Sequence, residues 1–135
     1  MFEFYDEVEA QKVRDALYES AAYVTDSGRL NAIRTDAPSV PRIVSCCAKA
    51  CGVSSAEPYA RSRTKNATLA RHLSWYLLLS IRGFAYADIG KEFQRDHSSV
   101  MHGVKRIATQ LTTDSWVVGA MRKAVDALTE GVDCG

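Results

Sequence analysis

RDHSSVMH, residues Arg95–His102, can be read as a helix start, a metal site, a catalytic pair, or a surface that reads a partner. Asp96 is a residue type whose carboxylate accepts from first-turn amides, and Val100, Val104, Ile107 and Leu111 follow at helical spacing. With that stripe turned to a core, His97, Ser98, His102, Lys105 and Arg106 lie to the side or outward. His97 and His102 are five apart, which is not the spacing that puts two ligands on one helix face. No Cys or carboxylate cluster accompanies them, so neither a metal nor a cofactor is expected. Just upstream, FAYADIGKEFQ offers Phe84, Ile89 and Phe93 to the same core in a helix of about two turns. Two short helices joined by a tight turn are a helix-turn-helix, whose second helix presents its N-terminal residues to base edges in the major groove.

Outward from this pair the chain reads as helical throughout. Asn66 is placed to cap a long helix through Leu69, Leu73, Leu77 and Ile81 that ends near Gly83. Asp114 starts a final helix carrying Val117, Met121, Ala124, Val125 and Leu128 before Gly131. Ile43, Val44, Cys47 and Cys51 form another stripe closed by Gly52, after which Ser54-Ser55-Ala56-Glu57 has capping-box spacing and Pro58 keeps any helix there short. From Phe4 to Val24 the positions Val8, Val13, Ala16, Leu17, Ala21 and Val24 make one amphipathic stripe, too apolar to stay solvated, and packing on the rest of the chain is its expected fate. Thr25–Pro41, with a glycine, two prolines and several turn formers, reads as a linker. The expected organisation is therefore all-α, with an N-terminal helix and linker over 1–36 and a compact helix-turn-helix domain over 37–135.

Charge sharpens the functional expectation. The net +1 hides four Lys/Arg against eight Asp/Glu in residues 1–36, eleven against four in 37–106, and two against four in 107–135. A basic middle between acidic flanks suits a polyanion partner for that segment alone. Arg61, Arg63 and Lys65 alternate with small residues in a polar loop, and Arg71 and His72 follow within the next helix. No run approaches the ~18 apolar residues of a membrane span. MFEFYDEVEA is acidic where a signal peptide would be basic, so a cytoplasmic protein away from membranes is expected. Cys46, Cys47, Cys51 and Cys134 show neither a CxxC pair nor a disulfide framework. Reduced thiols are expected, the first three as small core residues, and catalysis is not.

ADIGKEFQRDHSSVMHGVKRI, Ala87–Ile107, resembles the signature of the C-terminal DNA-binding domain of the bacterial replication initiator DnaA: Ile-Gly, an aromatic four residues on, Arg-Asp-His, two hydroxyl residues and a branched apolar residue. Upstream, ARSRTKNATLARHLSWYLL, Ala60–Leu78, resembles that family's basic loop and long helix. The likeness covers about residues 40–130 and implies a helical domain that reads short, asymmetric, AT-rich DnaA boxes in double-stranded DNA. It assigns Arg63 to the minor groove and Arg71 to bases in the major groove. Asp96, His97, Ser98 and Ser99 fall to the base-reading and phosphate-contacting start of the recognition helix, and Lys105 to a further basic position. The sequence departs from the family pattern in a turn one residue shorter before Arg95, in His72 for a glutamine, in Leu79 for a lysine, and in Gly103 for alanine or serine. Gly103 is expected to cost the helix about 1 kcal/mol relative to alanine. No GxxxxGK[ST] occurs, so neither a nucleotide nor the ATPase module of the initiator is expected here, and occupancy of boxes would act on replication or transcription. Alternatively the DNA-bound chain would recruit a partner protein through residues 1–24. The competing reading keeps the helical scaffold but docks its basic face on a protein or another polyanion.

Overall fold

The computed structural model describes residues 7–131; Phe4 of the first stripe and Cys134 lie outside them. Seven helices follow one another among the described residues: α1 (Glu7–Val24), α2 (Ser27–Asp36), α3 (Val40–Ala50), α4 (Lys65–Arg82), α5 (Tyr86–Phe93), α6 (His97–Gln110) and α7 (Ser115–Glu130), with a 3₁₀ turn at Glu57–Tyr59. There is no strand among those residues, so the fold is all-α.

The centre is α4. Leucines at intervals predict one stripe, but every residue from Leu69 to Ile81 except His72 is buried, because α1, α3, α5 and α6 all pack around it. Its cap is Thr64 rather than Asn66: the Thr64 hydroxyl accepts from Ala67 N at 3.3 Å. Gly83 closes it at φ 69°, with Phe84 N donating to Leu78 O. On α3, Ile43, Val44, Cys46 and Cys47 face the core, and Cys51 follows at its end. Burial pushes the Cys51 thiol up to about 12, which makes it an inert packing group. The helix ends as a Schellman motif on Gly52, with Val53 N reaching Ala48 O. Ser54–Glu57 yields only the 3₁₀ turn, entered without a side-chain cap. On α7 the expected stripe is buried in full, and Asp114 accepts from Trp116 N and Val117 N.

The linker reading of Thr25–Pro41 is overturned. Asp26 caps α2 by accepting from Arg29 N, Ala37 ends it in the left-handed conformation, and Leu30 and Ile33 enter the core. Ser39 then caps α3, with Pro41 in its first turn. The α1 stripe does pack on the rest of the chain: Leu17 and Ala21 are buried, and the Tyr76 hydroxyl of α4 donates to Leu17 O at 2.6 Å. Val8 and Ala16, counted in that stripe, are exposed.

Candidate nucleic-acid interface

The loop from Ala60 to Thr64 has extended backbone at both ends, and alternate carbonyls along it point the same way. The carbonyls of Pro58, Ala60 and Ser62 converge on one guanidinium: Arg71 donates from Nε to Pro58 O at 2.9 Å and from Nη2 to Ala60 O at 2.9 Å and Ser62 O at 2.8 Å. The side chains of Arg61 and Arg63 are left in solvent. A second guanidinium reaches the same point from the helix-turn-helix, Arg95 Nη2 donating to Ala60 O at 2.9 Å. Aromatic packing runs alongside, with Tyr59 stacked on Phe93 at 4.8 Å and Trp75 edge-on to Phe93 at 5.8 Å. The loop is thus held to α4 and the α5–α6 turn by two guanidiniums, and the Tyr59 ring before it leans on Phe93, while its own cations face outward.

The turn between α5 and α6 is Gln94–Asp96. Gln94 takes the left-handed conformation at φ 54°, and Arg95 N donates to Gly90 O at 2.8 Å. Gly90 is required by contact: a Cβ there would stand 2.5 Å from Arg95 O. Asp96 caps α6, accepting from Ser98 N at 3.3 Å, and its carboxylate stands 3.6 Å from His97 Nδ1. Val100, Val104, Ile107 and Leu111 are buried, which leaves His97, Ser98, Ser99, His102, Lys105 and Arg106 exposed. Where α6 crosses α4 the two helices touch at Gly103; a Cβ there would stand 2.7 Å from both the His72 and the Trp75 rings. A methyl group there would have to displace one of the two rings, so the glycine is what lets the helices approach this closely.

Cations dominate the surroundings of His72. Burial, then the charges of Arg71, Arg106 and Arg95, push His72 down to about 4, so its imidazole is neutral near pH 7. Burial and then Arg95 lower Arg71, against an opposing pull from Glu57; burial and then Arg61 lower Arg95. Among the described residues no carboxylate pairs with Arg61, Arg63, Lys65, Lys105 or Arg106. Of the residues singled out from the sequence, Arg63, Lys65 and His72 line one cleft and Asp96–Ser99 share one helix start. Lys105 is exposed on α6 outside that cleft. Arg71 is placed otherwise than a base-contacting arginine: it is 5% exposed and bound to three carbonyls. The sequence pattern turns Arg106 outward on α6 without giving it a role, and it gives no signal for Arg95 or Trp116. Arg95 stood inside the quoted motif, but its bond spans 35 positions, and no local pattern encodes that.

The family model for the bacterial DnaA protein helix-turn-helix matches residues 40–107. Similar curated proteins are the chromosomal replication initiator protein DnaA of Latilactobacillus sakei subsp. sakei, 36% identical over 77 residues, and that of Desulfotalea psychrophila, 39% identical over 54. The matches cover 56% and 40% of this chain but only 17% and 11% of those proteins. No solved structure matches the chain significantly. Among the described residues, no helix is long and apolar enough to cross a membrane.

Proposed function

The chain belongs to the bacterial DnaA helix-turn-helix family, and from that premise we propose that it binds double-stranded DNA at DnaA-box-like, AT-rich sites and acts by occupying them. The observation that carries this reading is the shared anchor at Ala60 O, where Arg71 of the long helix and Arg95 of the helix-turn-helix turn both donate. It fixes an outward-facing basic loop relative to the start of a recognition helix, as simultaneous contact with two neighbouring grooves requires.

In this reading His97, Ser98 and Ser99 meet base edges in the major groove and Asp96 caps their helix. Arg63 enters the minor groove, and Arg61, Lys65 and Lys105 meet phosphates. His72, neutral, offers one donor and one acceptor beside them. Arg71 holds the loop; a base contact would require it to release three carbonyls. The reading asks binding of the chain, not catalysis, and places its effect in replication initiation or transcription.

Fluorescence anisotropy with a box-bearing duplex and a shuffled duplex of equal length tests it. His97→Ala should cost about 1–3 kcal/mol on the box and much less on the shuffled DNA. Arg63→Ala should weaken AT-rich sites more than GC-rich ones. Equal affinity of the unmodified chain for both duplexes, with neither variant changing it selectively, would favour a basic face that docks a protein or another polyanion.

A further inference from the structure

Beside the basic loop lies a solvent-open cleft of about 320 Å³ built by four parts of the chain. Arg63 comes from the loop, Lys65 and His72 from α4, Arg106 and Gln110 from α6, and Trp116 from the first turn of α7. Its three formal cations lie opposite one carboxylate, that of Asp114, which is already engaged in capping α7. Trp116 is 39% exposed and stands outside the core cluster, with Lys65 Nζ 4.3 Å from its ring centroid. A large flat apolar ring edged by cations on an open surface suits a ligand that alternates apolar rings with anions, as the sugar–phosphate backbone does. A small metabolite would be better served by an enclosed, mostly apolar pocket.

We propose that this cleft seats a stretch of the sugar–phosphate backbone of the bound duplex, with Arg106 and Lys65 facing phosphate oxygens and Trp116 lying against the adjoining deoxyribose. The proposal rests on the duplex-binding reading and extends the footprint beyond the helix-turn-helix to the last helix, outside residues 40–107. It also gives Lys65 two states: resting over the indole in the free protein, and swung to phosphate in the complex.

Acrylamide quenching of tryptophan emission tests the seat in the unmodified chain. Trp75 is 1% exposed, so the quenchable emission belongs to Trp116. Saturating a box-bearing duplex, with binding followed independently by anisotropy, should lower that quenching at least about threefold as the indole is covered. Arg106→Gln should reduce the slope of log K against log salt by about 0.9 and weaken box and shuffled duplexes alike. Trp116→Ala should weaken both by about fivefold, the scale of partly burying an indole. Duplex bound by anisotropy with Trp116 still fully quenchable, and a salt slope unmoved by Arg106→Gln, would overturn the seat while leaving the duplex reading intact. Absence of duplex binding by the unmodified chain would instead bring down that reading, and this one with it.

Discussion

The two candidate reading elements are held in opposite ways. The recognition helix α6 is self-sufficient: Asp96 caps it, and Val100, Val104 and Ile107 bury one face in the core. The basic loop buries almost nothing of its own, and its backbone is fixed by Arg71 and Arg95 from other elements. Many small contributions hold the helix, so each can fail without losing it. The loop depends on two guanidiniums, and single substitutions should therefore separate the regions.

Arg71→Ala should produce the largest effect. It removes three charge-assisted bonds and takes this donor from the Pro58 and Ser62 carbonyls, while Ala60 O keeps Arg95, a loss of about 3 kcal/mol in urea unfolding. A loss under about 1 kcal/mol would mean that the loop holds its shape without the brace. Gly103→Ala comes next and acts on the helix side. Helix propensity alone would stabilise by about 1 kcal/mol, but overpacking against Trp75 and His72 costs about 1–3 kcal/mol. Gly103→Ala should therefore lower the melting temperature, and a higher one would contradict the close crossing. Asp96→Ala should cost about 1 kcal/mol through the lost cap. It should reduce box affinity without unfolding the loop, so amide exchange at Arg61–Arg63 should stay as it was.

The pH response reads the crossing of α4 and α6, where His72 lies against Gly103. His72 titrates at about 4 in the folded chain against an ordinary value of 6.5. Between those values the unfolded chain binds the extra proton, so stability falls as pH drops from about 6.5 to about 4 and is insensitive to this group below that. His72→Gln should flatten that part of the stability–pH curve. An unchanged curve would place the imidazole in solvent.

How far the sequence could be read follows the same division. The apolar stripes of α6 and α7 and their caps Asp96 and Asp114 are encoded within a few residues, and both helices lie where periodicity puts them. The loop's cations were legible as a charge pattern, but its brace was not. Arg71 looks like any cation on a basic helix until the carbonyls of residues 58, 60 and 62 are seen to surround it. α2 was hidden for another reason. Its Gly28 lies in the first turn, Pro38 and Pro41 flank and begin the next helix, and its only buried apolar residues are Leu30 and Ile33. Residues that usually break helices here mark the ends of two.

The salt dependence of binding to a box-bearing duplex tests the central claim most directly, because the claim joins an outward basic loop and a recognition helix on one DNA. Arg61, Lys65, Lys105 and Arg106 at phosphates, with Arg63 in the minor groove between them, neutralise about four to five phosphate charges and predict a slope of log K against log salt of roughly −4 to −5. The Arg61→Ala, Lys65→Ala double variant should bring it toward about −2 to −3, whereas His97→Ala should leave it unchanged and remove discrimination. A slope near zero for the unmodified chain, or one that the double variant does not move, would contradict the account.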